Sequence, residues 1–173
     1  MRMLLTTASW PIWAGFLLMI VAAVIDARTT RVPNALTVPC LLGGLVIAVL
    51  WGQGGVWPSL GGGIGASVGT AALTLLVLFV MYRFWRIPGG ALKMQVVFAA
   101  WLGCALPLGK ALSSSLAAVA VIVLVYLVFY LVFRYARPTS DEEEARRPPR
   151  VRYGWTALLN VVTILVLDWL RLV

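Results

Sequence analysis

Residues 26–37 read Asp-Ala-Arg-Thr-Thr-Arg-Val-Pro-Asn-Ala-Leu-Thr, a polar segment between two long apolar runs. The residue before a proline is disfavoured in the helical conformation, and proline donates no backbone hydrogen bond, so Val32-Pro33 should separate two helices. Asn34 is a good N-cap for the second helix. Asp26 ends the first apolar run, and ionisable residues in membrane segments are rare and usually functional. The segment therefore predicts two helices joined by a short break, with a candidate functional acid beside it.

The rest of the chain has the composition of a membrane protein. Of its 173 residues 62% are hydrophobic, and only six are Asp or Glu. A spanning helix needs about 20 mostly apolar residues, and the strands of a β-barrel would alternate apolar with polar residues, which these runs do not. We predict an all-α, polytopic membrane protein, a six-transmembrane-helix bundle forming a single domain over residues 1–173. The predicted helices are approximately 9–26, 35–51, 62–82, 91–107, 111–134 and 154–172.

The basic residues predict the topology of this bundle. Most of the 14 Lys and Arg lie in or beside the first, third and fifth connections, in residues 28–31, 83–93 and 134–152. Cytoplasmic loops carry an excess of Lys and Arg, so these connections should face the cytoplasm and both termini the outside. We expect a multi-pass protein of the bacterial cytoplasmic membrane whose net charge of +8 attracts anionic lipids, with no nucleic-acid partner.

The residue inventory restricts the chemistry. The chain has no histidine and two cysteines, Cys40 and Cys104, both in apolar runs. Imidazole catalysis and a Cys/His zinc site are therefore excluded, and the cysteines should be small core residues. Without a histidine or a neighbouring base, the serines at 113–115 do not support a serine protease. We expect neither a metal nor another cofactor.

A glycine-rich stretch, Gly61-Gly62-Gly63-Ile64-Gly65, precedes the third predicted helix. A phosphate-binding loop would require Lys-Ser or Lys-Thr at a fixed offset, and that pair is missing. Small residues in membrane helices usually allow close approach of neighbouring helices. This stretch therefore predicts helix packing.

The first segment carries a resemblance. Written as Asp26-x-Arg28-x-x-x-Val32-Pro33-Asn34-x-Leu36-Thr37, it closely resembles the first motif of the prepilin peptidase family. These are membrane aspartic proteases that cut the basic leader from type IV pilin precursors at the cytoplasmic face. The chain has no room for the extra domain of the larger members, so the resemblance is to the short, peptidase-only form. It implies that Asp26 is a catalytic acid and that a prepilin or pseudopilin precursor is the partner; without it, a simple tight turn with Asp26 near the lipid headgroups would serve equally well.

The second family motif, Gly-x-Gly-Asp-x-Lys, is incomplete in this chain. The corresponding residues are Pro88-Gly89-Gly90-Ala91-Leu92-Lys93, in which Ala91 takes the place of the second catalytic acid. An alignment with a one-residue deletion also leaves the segment without an acid. Aspartic proteolysis uses one ionised carboxylate to activate water and one neutral carboxyl to donate a proton, so Asp26 alone cannot fill both roles.

Other acids do not obviously complete the pair. Residues 141–144 lie beside several arginines in a hydrophilic connection that we expect to be solvated. Asp168 is near the outer end of the last predicted helix, across the bilayer from Asp26. A dyad of Asp26 with Asp168 would require a different topology.

Ala91 leaves three functions open. The chain is a prepilin leader peptidase inactivated by a deliberate Asp-to-Ala replacement, a natural pseudoprotease that binds or escorts prepilins, or a small transporter in which Asp26 is an ion site. The intact first motif favours the inactivated peptidase, whereas Pro88 argues against it. In the peptidase interpretation the residues that shape the site around Asp26 and position 91 are Arg28, Pro33, Asn34, Gly89, Gly90 and Lys93. The sequence does not determine the oligomeric state.

Overall fold

The computed structural model of the chain describes residues 10–29, 32–53, 61–85, 89–136 and 153–170. Within these residues the regular secondary structure consists of six helices. They are α1 (Trp10–Thr29), α2 (Asn34–Trp51), α3 (Ile64–Trp85), α4 (Gly89–Ala105), α5 (Leu108–Ala136) and α6 (Tyr153–Trp169). The prediction of an all-helical protein is confirmed for this part of the chain.

Three of these helices contain segments long and apolar enough to cross a membrane: Asn34–Trp51, Ile64–Arg83 and Leu108–Val128. The apolar parts of the other three are shorter, at Trp10–Asp26, Leu92–Ala105 and Leu159–Trp169. The chain is therefore a helical protein with three clear candidate spans. Six spans remain a prediction.

Several predicted boundaries were wrong by a few residues. Helix α1 continues to Thr29, three residues past Asp26, because only the proline at position 33 has to lie outside it. Asn34 is not the N-cap of α2; Pro33, in an extended conformation, holds that position and Asn34 is the first helical residue. Helix α4 begins at Gly89, so the glycines that were assigned to a connection form its first turn. Prediction placed the last two helices at 111–134 and 154–172; α5 is longer, at Leu108–Ala136, and α6 ends at Trp169.

Helix α4 lies at the centre of the molecule and packs against α1, α2, α3 and α5. Its residues from Met94 to Ala105 are almost all buried. Hydrogen bonds in its second half join it to two neighbours: Trp101 Nε1 donates to the Cys40 carbonyl on α2 at 3.0 Å, and Ser67 Oγ on α3 donates to the Ala100 carbonyl at 2.7 Å. Cys40 and Cys104 are buried and unoxidised, which confirms that they are core residues.

Helices α1 and α2 run in opposite directions, as do α3 and α4, and this gives the molecule two ends. The tryptophan end is defined by Trp10, Trp51 and Trp101. There the ring of Trp10 packs edge to face against the rings of Trp51 and Trp101. At the motif end, defined by Asp26, Asn34 and Lys93, α1 finishes and α2 and α4 begin. Helices α2 and α4 therefore run in the same direction.

Glycines allow α3 and α4 to approach closely near the tryptophan end. A Cβ atom on Gly103 would lie 2.5 Å from the carbonyl oxygen of Ala66, closer than real Cβ atoms come to a backbone oxygen. Gly62 and Gly63 are similarly surrounded by backbone atoms. The packing role predicted for the glycine-rich stretch is confirmed for Gly62 and Gly63, whereas a Cβ atom on Gly65 would meet nothing within 4 Å.

Candidate functional site at the motif end

Asp26 is held by α1 on a face that points into the molecule. Ala22, one helical turn earlier, is fully buried in the main apolar cluster with Met94 of α4 and Ile164 of α6. Residues four apart lie on the same face of a helix, and Asp26 is itself only 8% exposed. The carboxylate is thus near the end of α1 but directed inward. Arg28, two residues later, is exposed.

The start of α2 places Pro33 and Asn34 at the same end of the molecule as this acid, and both are exposed at the surface. Pro33 serves α2 through its backbone: its carbonyl accepts hydrogen bonds from the N–H groups of Leu36 and Thr37. The side chain of Asn34 is therefore not engaged in capping. Its Oδ1 atom accepts a hydrogen bond from Lys93 Nζ at 2.7 Å.

That hydrogen bond joins the two motif segments, which are 59 residues apart in the chain. A second contact supports it, since a Cβ atom on Gly90 would lie 3.3 Å from Cγ2 of Val32. Gly90 thus lets the first turn of α4 pack tightly on the break between α1 and α2. Gly89 is exposed, and a Cβ atom added there would meet nothing within 4 Å.

Position 91 is the third residue of α4, in the helical turn that carries Gly90 and Lys93. The structure therefore brings the backbone of this position to the motif end with Val32 and Asn34. Pro88 and Arg31 lie outside the described residues, as do the acids at 141–144. Asp168 is in the last turn of α6 and is buried.

Sequence reasoning missed two polar groups near the site. The hydroxyl of Tyr126 on α5 is buried, has no hydrogen-bond partner among the described residues, and lies within electrostatic reach of Asp26. Gln95 follows position 91 by one turn of α4 and is buried. Both lie in predicted membrane spans. The feature of the sequence that could have indicated them is a polar side chain within an apolar run.

A model of the type IV leader peptidase family matches residues 13–128, about two thirds of the chain. The chain belongs to the type IV leader peptidase family. No curated protein and no solved structure in the comparisons matches it. The matched region contains α2, α3, α4 and most of α1 and α5, and it includes both motif segments.

The family is one of aspartic-type membrane peptidases, and among the described residues Asp26 is the acid at the motif end. A lone carboxylate can accept a proton or bind a cation, but it cannot also supply the neutral carboxyl that protonates the scissile carbonyl. Within the described residues, no three His, Cys, Asp or Glu side chains are grouped as metal ligands would be.

Proposed function

We propose that the motif end is a recognition site for the leader junction of a type IV prepilin or pseudopilin precursor. Its framework is that of a leader peptidase in which Asp26 and position 91 form the catalytic pair, and Ala91 leaves the pair incomplete. The basic leader of the substrate stays among the anionic headgroups, while the apolar segment after it enters between membrane helices. The chain with Ala91 therefore binds its substrate without cutting it.

One observation carries this proposal. The hydrogen bond from Lys93 to Asn34 brings together the two segments that resemble the family motifs, and it does so at the end of α1 that holds Asp26. A protein with an unrelated use for Asp26 would not need the segment around position 91 to be fastened beside it. The family match over both segments supports the same proposal.

The residues that shape the proposed site are Arg28, Pro33, Asn34, Gly89, Gly90 and Lys93. Pro33 and Gly90 fix the path of the backbone, Asn34 and Lys93 fix the first turn of α4 relative to α2, and Arg28 is exposed two residues beyond Asp26. The proposed setting is a multi-pass bundle in the bacterial cytoplasmic membrane, with the motif end toward the cytoplasm and both termini outside. The three clear candidate spans and the basic residues at the motif end, Arg28, Arg83 and Lys93, are consistent with it.

Binding tests this proposal on the protein as it is. The chain, reconstituted in nanodiscs that contain anionic lipid, is mixed with a fluorescent type IV prepilin that retains its leader, and the affinity is measured by anisotropy against empty nanodiscs of the same lipid. The matched control is the same prepilin with the leader Lys and Arg replaced by Gln. We expect binding of the first, weakened at least about 10-fold in the second because the positive charges near the headgroup level are lost. Equal affinity for both, or binding of neither, would overturn the proposal.

A natural escort of prepilins is the second candidate, favoured by Ala91 itself and by Pro88 in place of the first motif glycine. Both an escort and an inactivated peptidase are expected to bind the prepilin in the assay above. They differ when the acid is restored: an Ala91→Asp form of an inactivated peptidase cuts the leader, whereas an escort with the same change still only binds.

A further inference from the structure

Two buried amide side chains meet between α4 and α6. Asn160 Nδ2 donates to Gln95 Oε1 at 2.6 Å, and the two residues are 0% and 3% exposed. The amide nitrogen of Gln95, which carries two N–H donors, and the carbonyl oxygen of Asn160 have no hydrogen-bond partner among the described residues. Rotating both amides by half a turn exchanges their roles and again leaves one amide nitrogen and one carbonyl oxygen without a partner.

The pair lies one helical turn deeper than the proposed catalytic site. Gln95 follows position 91 by four residues, so the two positions share a face of α4. Asn160 precedes Ile164 by one turn of α6, and Ile164 belongs to the apolar cluster that also contains Ala22, one turn before Asp26. Helix α6 packs along α1, the helix that carries the acid. The amide pair therefore lies where α4 and α6 pack together, next to the buried cluster that includes the turn of α1 before Asp26.

Unused hydrogen-bonding groups are costly at this position. A buried polar atom without a partner destabilises the folded protein, and packing two helices together needs only the one hydrogen bond that the amides already make. A donor and an acceptor side by side match the N–H and C=O of one peptide segment. An apolar membrane interior offers such a segment nothing else to bond.

A substrate cut at the motif end presents such a segment. The bond to be cleaved lies between the leader and the apolar helix, so the residues after it extend deeper into the bilayer. Exposing that bond to attack requires local unwinding, and the unwound N–H and C=O groups lose their helical partners. They would lie at the depth of Gln95 and Asn160.

We propose that Gln95 and Asn160 form a subsite that hydrogen-bonds the backbone of the substrate immediately after the scissile bond. This inference rests on the proposed function, because it requires a peptide bound at the motif end. The ligand is the unwound peptide backbone itself. The subsite consequently does not discriminate between substrate side chains, and it holds the substrate backbone extended past position 91.

The test removes hydrogen-bonding groups from both sides. The probe is a synthetic prepilin peptide containing the leader and the first apolar residues, in which each of the first four amides after the cleavage point is replaced in turn by an ester. An ester lacks the N–H donor and is a weaker acceptor. Affinity is measured for the chain and for its Gln95→Leu/Asn160→Leu variant, since replacing both partners by apolar residues leaves no new unpaired group.

We expect one ester position to weaken binding to the chain about 10-fold and binding to the double variant less than about twofold. Thr74→Val/Ser115→Ala is the matched control, because it removes a buried side-chain hydrogen bond of 2.9 Å between α3 and α5; it should retain the full ester effect. Equal ester effects in the chain and in the Gln95→Leu/Asn160→Leu variant, or none at any position, would show that the amides only pack helices or hold water, and would overturn the subsite alone. Failure of the unmodified peptide to bind would overturn the proposed function as well.

Discussion

The exposed side chains of Lys93 and Asn34 join the two segments of the proposed site. Each residue is solvent-accessible, so the hydrogen bond between them adds little to the free energy of unfolding. Its effect is on position: it holds the first turn of α4, and with it position 91, against the start of α2. A residue pair with this profile should influence catalysis more than stability.

We therefore predict that Lys93→Met, introduced into an Ala91→Asp form, lowers the rate of prepilin cleavage about 10-fold or more, because small displacements of catalytic groups are costly. The free energy of unfolding should change by no more than about 0.5 kcal/mol. Gel-mobility cleavage and thermal unfolding in detergent measure the two quantities. Lys110→Met is the control, since Lys110 is exposed near the start of α5, beyond the tryptophan end of α4. Equal rates for the two variants would contradict the positioning role.

Gly90 and Gly89 form a matched pair for a second prediction. Gly90→Leu forces atoms onto Val32 and should lower the free energy of unfolding by about 1–3 kcal/mol through overpacking. Gly89→Leu adds its side chain in open space and should change stability by less than about 0.5 kcal/mol. Thermal unfolding of the two variants compares their stabilities. A Gly90 variant as stable as the Gly89 variant would show that the contact with Val32 is not tight.

At the scale of the helices, α4 determines the arrangement of the others. It is one of the shorter helices, and its neighbours surround it so completely that its second half is buried on every side. Without a hydrophobic driving force between helices in lipid, close packing and hydrogen bonds determine which helices associate. Gly103 permits close packing of α4 against α3, while Trp101 and Ser67 provide hydrogen bonds between α4 and its neighbours.

Gly103→Ala should therefore separate α3 from α4 and destabilise the protein by about 1–3 kcal/mol. Gly65→Ala in the first turn of α3 meets nothing within 4 Å, so it should be neutral or stabilise by up to about 1 kcal/mol, because alanine loses less backbone entropy in a helix. Unfolding in detergent compares the two. If both substitutions had the same effect, the close contact between α3 and α4 would not contribute to stability.

For the molecule as a whole, the positions of the helices in the sequence could be predicted far better than which helices pack against each other. Pro33 and the glycine-rich stretch interrupt the apolar runs for local reasons, and those interruptions are where prediction placed them, within a few residues. The central position of α4 could not be predicted, because core-facing and lipid-facing side chains are both apolar in such a protein. Leu17 and Phe79, for example, are more than half exposed yet are indistinguishable in type from buried residues.

The same limit applies to the site. Asp26, Asn34 and Lys93 were recognisable from the family motifs, although the capping role predicted for Asn34 was wrong and its contact with Lys93 was not foreseen. The pairing of Gln95 with Asn160 joins residues 65 positions apart, and no local pattern indicates it. The motifs identified candidate residues for the site, whereas contacts created only by packing could not be predicted.

Prepilin cleavage by the Ala91→Asp form shows whether Asp26 and position 91 can act as a catalytic pair. The detergent-solubilised protein is incubated with tagged prepilin, and loss of the leader is followed by gel mobility. The chain with Ala91 and the Ala91→Asp form with Asp26→Asn are run beside it. We predict cleavage by the Ala91→Asp form alone, because only that form has both carboxyl groups. Cleavage that persists after Asp26→Asn, or binding without cleavage in all three, would contradict the claim that Asp26 and position 91 form an incomplete catalytic pair.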